Sequence, residues 1–218
     1  MRYWSNPRSR RWLIWVALAA SFLLVNLHRL STAVLADRLM AAFDATGVEL
    51  GTLHAAFFYI YATLQLPAGV LVDRVGTRWT AAVGLVVMNL GVVVFGLSGS
   101  YLPAFAGRAL VGLGASVIFV SVLRFGANWF RPTEFATMNG LTIAMAGLGG
   151  MLATTPLALA IEAAGWRTTF LGLAGIGLVV AVVVAIVVRD TPASAGLSEI
   201  SGVGPTPDRT LGEIRTSA

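Results

Sequence analysis

The sequence Gly69-Val-Leu-Val-Asp73-Arg74-Val-Gly76-Thr77-Arg78 is a short charged segment between two long apolar runs. The run before it is Gly51–Val72 and the run after it is Trp79–Leu97. A helix needs about 20 mainly apolar residues to cross the hydrocarbon core of a bilayer. Both runs have about that length, so the segment is predicted to form a tight turn between two membrane-spanning helices.

The rest of the chain repeats this pattern of apolar runs and short polar connections. Of its 218 residues, 57% are hydrophobic and 11% are charged, whereas a soluble domain is about 45–50% apolar and about a quarter charged. We therefore predict an all-α polytopic membrane protein and exclude a soluble enzyme, a disordered scaffold and a secreted disulfide-linked module. The lack of cysteine and the scattered histidines and carboxylates disfavour a metal site. The six predicted spans are Trp12–Leu35, Gly51–Val72, Trp79–Leu97, Leu102–Leu123, Phe135–Ile161 and Thr168–Val188.

All fifteen basic residues are arginines, and most lie at one end of the predicted spans. Cytoplasmic connections carry an excess of positive charge, so both termini are predicted to be cytoplasmic and the protein to lie in the cell membrane. The net charge of +5 is spread along the chain, which argues against a nucleic-acid-binding patch. The arginines on the cytoplasmic side of this topology are Arg2, Arg8, Arg10, Arg11, Arg74, Arg78, Arg124, Arg131 and Arg189.

This distribution divides the chain into three parts. Residues 1–11 are expected to form a basic cytoplasmic N-terminus, and residues 12–188 a six-span domain. Residues 189–218 are rich in Gly, Pro, Ser and Thr. Such a segment cannot bury enough apolar surface to fold alone, so it is expected to be a disordered cytoplasmic tail.

The turn itself contains residues that an ordinary basic loop does not explain. Gly76 permits a positive φ or the close approach of a helix. Asp73 lies near the C-terminus of a predicted helix, where the helix dipole disfavours an anion, so it requires a partner. The candidate partners are Arg74, Arg78 and the N-terminus of a neighbouring helix.

With these residues, the turn resembles the signature loop of the major facilitator superfamily. Further segments resemble the family's patterns in the family's order, and the resemblance covers about residues 12–190. It is strongest to the branch that carries organic anions and sugar phosphates. These further segments are Phe57–Gly69, Arg108–Ser116, Asn128–Phe130 and Gly165–Phe170.

The resemblance implies one half of a twelve-span fold, with its six helices arranged as a 3+3 inverted repeat. It also implies that the turn acts as a conformational latch through Gly69, Asp73, Arg74, Gly76 and Arg78. Two features depart from the family pattern. Thr77 stands where the family often has a basic residue, and the fifth run lacks a clean Gly-Pro element, which disfavours a drug/proton antiporter.

Polar side chains within the spans are the candidate substrate contacts, because charged groups in hydrocarbon are costly and face a cavity or a partner. Arg29 is the main candidate, since a guanidinium can hold a carboxylate or phosphate through two hydrogen bonds. The resemblance implies a cavity arginine at this position in anion carriers. The alternative is that Arg29 extends to the outer interface. Asn26 lies one turn before Arg29 on the same predicted face.

Two other spans contribute candidates. His54, Phe58, Tyr61 and Gln65 fall on one face of the second helix. Tyr61 and Gln65 are predicted to line the substrate path, whereas His54 is expected to be interfacial or structural. Arg108, in the fourth run, either orients a polar network with the first or second span or lies at the outer interface. The predicted substrate-binding residues are thus Arg29, Asn26, Tyr61, Gln65 and Arg108.

These features favour secondary active transport of a small, anionic solute by alternating access. A half-length chain would need a second six-helix half or a second copy of itself. The sequence has no P-loop, so a proton or exchange gradient is the expected energy source, and no cofactor is expected. One alternative is a non-transporting, truncated fragment of such a permease. The other is an intramembrane enzyme, which the lack of paired catalytic carboxylates and nucleophile motifs disfavours.

Overall fold

The computed structural model describes residues 7–197, and this part of the chain is almost entirely α-helical. A one-turn 3₁₀ helix, Ala193–Ala195, follows the last α-helix. The predicted all-α class is therefore confirmed. The α-helices are α1 Pro7–Val34, α2 Ala36–Phe43, α3 Gly47–Val75, α4 Thr77–Leu97, α5 Tyr101–Ala115, α6 Ile118–Trp129, α7 Pro132–Leu152, α8 Thr155–Ala164 and α9 Trp166–Val187.

Six stretches of these helices are long and apolar enough to cross a membrane, which agrees with the predicted number of spans. They are α1, α3, α4, the pair α5 and α6, α7, and α9. The fourth span is interrupted by a turn at Ser116–Val117. The Ser116 hydroxyl donates to the carbonyl of Leu113 at 2.7 Å, and this kind of bond often bends a helix.

The predicted fifth span, Phe135–Ile161, is wrong as a single helix. α7 ends at Leu152, and the short helix α8 starts at Thr155. Pro156 explains the break, because a proline ring clashes with the carbonyl four residues earlier and offers no N–H to it. That carbonyl belongs to Leu152, so the span ends there.

The ends of the predicted domain also differ from expectation. α1 begins at Pro7, inside the segment expected to be a separate N-terminus. Residues 189–197 are ordered against the bundle rather than forming the start of a disordered tail, and Leu197 packs against the core. The rest of the predicted tail, residues 198–218, lies outside the described residues, as do residues 1–6.

Glycines bring α4 and α5 into backbone contact. A Cβ atom on Gly91 would lie 2.6 Å from the backbone nitrogen of Val111, and one on Gly107 would lie 2.7 Å from that of Phe95. Gly114 lies against the carbonyl of Gly84 in the same way. Helices in a membrane lack a hydrophobic drive to associate, so close packing of this kind holds them together.

The helices are buried to different extents. Within the apolar stretches, 56–61% of residues are buried in α1, α4 and the α5–α6 pair, but only 22% in α3, 17% in α7 and 28% in α9. The bundle therefore has a well-packed centre, and α3, α7 and α9 are covered on one side only. The inverted relation between its first and second three spans stays a prediction.

Candidate functional site

Arg29 of α1 lies within electrostatic range of Tyr61 of α3, and Tyr61 interacts with Gln65 one turn further along α3. All three side chains are half-buried. Arg29 forms no ion pair with any carboxylate in the described part of the chain. A cation, a phenol and an amide therefore share one partly open surface.

An aromatic pair forms the wall behind this surface. The ring of Tyr61 stacks on that of Phe57, with centroids 5.6 Å apart and planes 15° apart. Phe57 is fully buried. The guanidinium of Arg108 lies 5.4 Å from the centre of the Phe57 ring. Phe57 thus contacts both the half-buried Tyr61 and the enclosed Arg108.

Arg108 is enclosed within the bundle. Its side chain is 1% exposed and donates from Nη1 to the carbonyl of His28 in α1 at 2.8 Å. Its Nε and Nη2 atoms have no hydrogen-bond partner among the described residues. This position differs from an outer-interface arginine and matches the alternative of a link to the first span.

Asn26 also lies away from the open surface. It is 3% exposed and donates to the carbonyl of Phe22 at 2.8 Å. Its Cβ faces Gly149 of α7, where an added Cβ would approach it to 3.2 Å. Three of the five predicted substrate contacts therefore share a surface, whereas Asn26 and Arg108 are in the interior.

The two histidines occupy different settings. The Nδ1 atom of His54 and the Oγ1 atom of Thr32 share a hydrogen bond of 2.6 Å, which links α3 to α1. His54 also contacts Phe58, with ring centres 5.2 Å apart. His28 is fully buried, and neither of its ring nitrogens has a partner within the described structure.

The turn between α3 and α4 has a different partner from those expected. The Oδ1 atom of Asp73 lies 3.4 Å from Nε of Arg124, on α6. The expectation of Arg74, Arg78 or a helix N-terminus as its partner is therefore wrong. Both groups of the pair are largely exposed. Arg74 is also exposed, and Gly69 has open space at its Cβ position.

Arg78 instead interacts with the end of α9. Its backbone N–H donates to Oδ1 of Asp190 at 2.8 Å, and its Nε donates to the carbonyl of Ala185 at 2.6 Å. Gly76 has a φ of +89°, as its residue type predicts, and a Cβ there would lie 2.8 Å from the Asp190 carboxylate. An anion at the start of α4 is favoured by the helix dipole.

Two further bonds fix the segment after α9. Asn128 donates from its amide to the carbonyl of Asp190 at 3.1 Å. Trp129 donates from Nε1 to the carbonyl of Arg189 at 3.0 Å. The turn, the end of α6 and the end of α9 thus form one connected cluster.

A profile of the family described as the Major Facilitator Superfamily matches residues 9–218. The chain belongs to this family. As a major facilitator superfamily protein with six apolar helices it is an integral membrane protein. Its membership agrees with the resemblance on which the latch and the substrate contacts were predicted.

Two relatives and one solved structure illustrate the similarity. The chain is 26% identical over 182 residues to the probable sulfoacetate transporter SauU of Cupriavidus necator, covering 84% of this chain and 42% of that protein. It is 26% identical over 176 residues to the D-galactonate transporter of Escherichia coli O6:H1, covering 80% of this chain and 41% of that protein. A bacterial homolog of the human lysosomal transporter Spinster, inward-facing and unoccupied, has the same fold over 94% of this chain and 48% of its own, with a TM-score of 0.78 and 19% identity.

The chain therefore spans about two fifths of the length of these relatives. Two residues that contact the α3–α4 turn of this major facilitator superfamily chain were not singled out from its sequence. Arg124 gave no signal beyond its place in a basic loop. Asp190 had a weak one, since an acidic residue directly follows the last span, but its partner Arg78 is 112 positions away.

Proposed function

We propose that this chain is one half of a secondary active transporter that moves a small anionic solute by alternating access. Arg29 is the main contact for the anion, and Tyr61 and Gln65 flank it. The observation that supports this most directly is the half-buried guanidinium of Arg29, which forms no ion pair with a carboxylate among residues 7–197 and lies within electrostatic range of Tyr61. An arginine in hydrocarbon requires an anion or dipole opposite it, and a substrate carboxylate, sulfonate or phosphate supplies one.

The names of two relatives support an acidic solute. Sulfoacetate and galactonate are both small organic anions, and the proteins named for them align with most of this chain. By analogy with these two relatives, the substrate of this chain is a compact acid. In this scheme Arg108 acts indirectly, because it is enclosed behind Phe57 and holds α1 through the His28 carbonyl.

The site formed by this chain is one wall of a complete cavity. α3 and α7 are covered on one side only, and Arg29, Tyr61 and Gln65 would otherwise face lipid at a cost. We infer that a second six-helix half or a second copy of the chain faces them. The protein acts in the cell membrane with both termini in the cytoplasm, and the turn around Asp73 is a latch between conformations.

The test is binding and transport by the purified full chain in mild detergent and in proteoliposomes. We expect sulfoacetate or a sugar acid to raise the melting temperature of the parent chain, a neutral sugar to leave it unchanged, and Arg29→Ala to abolish the effect. Equal stabilisation of the parent and Arg29→Ala would contradict the site.

Transport by the same preparation tests the need for a second half. The mass of the solubilised particle shows whether it is a monomer or a dimer. A monomer is expected to show no saturable counterflow of the anion. Saturable counterflow by a monomer would contradict the two-wall arrangement while leaving the anion site intact.

A further inference from the structure

Two apolar grooves flank α4 at the end of the bundle that carries the α3–α4 turn. The first has a volume of about 200 Å³ and lies between α3, α4 and α5, lined by Leu71, Val75 and Leu113 among others. The second has a volume of about 240 Å³ and lies between α4 and α9, lined by Leu178 and Val182 among others. Trp79 and Val83 of α4 line both, so we call them the Trp79 grooves.

Their length fits the depth of one lipid leaflet. Along α4 the first groove extends from Trp79 to Val87, about 12 Å at the rise of an α-helix. One leaflet contributes about 15 Å of hydrocarbon to a bilayer. Each groove therefore runs in the direction of an acyl chain and lies within a single leaflet.

Positive charge surrounds the shared mouth of the grooves. The guanidinium of Arg78 lies 4.9 Å from the centre of the Trp79 ring and is held by the carbonyl of Ala185, which itself lines the second groove. Arg74 is exposed one turn after Leu71, on the same side of α3. It forms no ion pair with a carboxylate in the described structure.

The carboxylates near this mouth already have partners. Asp73 is paired with Arg124, and Asp190 accepts the backbone N–H of Arg78. They lower the positive potential without cancelling it, since the two arginine side chains of the mouth are not ion-paired to them. The mouth therefore favours an anion.

The side chains along α4 become less polar with distance from these charges. The order is the guanidinium of Arg78, the indole of Trp79 and then the aliphatic side chains of Val83 and Val87. A phospholipid has the same order of charged phosphate and apolar acyl chain.

We propose that the Trp79 grooves bind the two acyl chains of one anionic phospholipid. Its phosphate lies at Arg74 and Arg78. Two grooves on either side of Val83 fit a lipid with two chains, and basic clusters at the membrane surface select anionic headgroups. With the topology proposed above, this lipid belongs to the cytoplasmic leaflet.

The test counts bound lipids on the delipidated full chain by native mass spectrometry after titration with phosphatidylglycerol or phosphatidylcholine. We expect one tightly bound phosphatidylglycerol molecule per chain and weaker binding of phosphatidylcholine. The double variant Arg74→Gln/Arg78→Gln should bind phosphatidylglycerol with an affinity lower by about tenfold or more, since each basic residue near an anionic lipid raises the affinity about fivefold. Val83→Trp fills both grooves without changing the charge and should weaken the binding of both lipids.

The matched control is Arg38→Gln/Arg167→Gln. These arginines lie at the opposite end of the bundle and, like Arg78, each donates to one backbone carbonyl. All variants are compared at equal helicity and particle size, so a misfolded variant is recognised and replaced by the single substitution Arg74→Gln at an exposed position, which should also weaken the binding of phosphatidylglycerol. The proposal would be overturned if the control pair lost as much phosphatidylglycerol binding, or if the parent bound the two lipids equally. It would also be overturned if inorganic phosphate or glycerol 3-phosphate alone displaced phosphatidylglycerol.

Discussion

Two arginines within the spans have opposite environments. Arg29 is half-buried and lies within electrostatic range of Tyr61, whereas Arg108 is enclosed and contacts one carbonyl and one aromatic face. A guanidinium on an open surface can bind and release a ligand. One sealed behind Phe57 can only hold helices together or respond to their movement.

Arg29→Lys tests whether the planar guanidinium matters. Lysine keeps the charge but offers a compact ammonium in place of two parallel N–H donors. We expect the apparent affinity for the anion to fall about tenfold, measured as the midpoint of ligand-induced thermal stabilisation. Arg38→Lys, at the end of the bundle near α8, is the matched control. Unchanged affinity in Arg29→Lys would mean that Arg29 acts only as a point charge or not at all.

Arg108→Met tests whether the enclosed arginine is kept for stability. Burying a cation whose Nε and Nη2 lack partners is costly, and replacing such groups with apolar ones of similar length is often neutral or stabilising. We expect the melting temperature of the variant in detergent to equal or exceed that of the parent, with transport by the complete carrier lost. A melting temperature lower by several degrees would instead assign Arg108 a structural role.

At the scale of elements, the α3–α4 turn connects helices that are distant in sequence. Asp73 reaches α6 through Arg124, and Arg78 reaches the end of α9 through Asp190 and Ala185. The Asp73–Arg124 pair is exposed, and exposed pairs contribute only about 0–1 kcal/mol. Such a pair can break and re-form during a conformational change.

The variant Asp73→Asn tests this role of the Asp73–Arg124 pair. In a complete carrier the variant should transport severalfold more slowly, with substrate affinity nearly unchanged, because the pair acts between conformations rather than at the site. Its melting temperature should stay within about one degree of the parent, since little stability is at stake. Separate measurement of binding and initial uptake rate distinguishes this from its opposite, in which affinity falls and turnover is normal.

The glycine contacts between α4 and α5 give a prediction about packing. Gly91→Ala places a Cβ 2.6 Å from a backbone nitrogen of α5, so the helices must separate. Gly140→Ala, on α7, meets open space and is the matched control. We expect the first to lower the melting temperature by several degrees and the second to leave it unchanged or raise it, since alanine favours helix. Similar values for both would contradict contact-driven packing.

At the scale of the molecule, the bundle has a dense centre of α1, α4, α5 and α6, with α3, α7 and α9 at its margin. This asymmetry is compatible with the proposal that the chain is one half of a two-bundle carrier, in which marginal helices face the other half. The proposed orientation in the membrane rests on the arginines alone.

Cysteine labelling tests that orientation, since the sequence has no native cysteine. Gly99→Cys and Ala163→Cys, in connections predicted to be outside, should react with an impermeant maleimide in intact cells. Thr133→Cys, at the start of α7, should react only after the membrane is permeabilised. Labelling of Thr133→Cys alone in intact cells would reverse the topology.

The sequence alone predicted six spans, their approximate ends and the turn at Gly76, because these depend on local properties. Apolar length determines a span, and a missing side chain permits the +89° φ of Gly76. The fifth span was wrongly predicted as one helix through Pro156, because its overall hydropathy was given more weight than a local helix-breaking residue. The predicted face with Tyr61 and Gln65 likewise followed from helical periodicity.

Only the tertiary structure decided which distant groups meet. It paired Asp73 with Arg124 rather than with its neighbours in the turn, and it placed Asp190 at the start of α4. It also enclosed Arg108 while leaving Arg29 partly open. These outcomes depend on how each helix is rotated and how closely glycines let it approach its neighbours. The periodicity of the sequence predicts on which face of a helix a polar residue lies. It does not predict which other helix packs against that face.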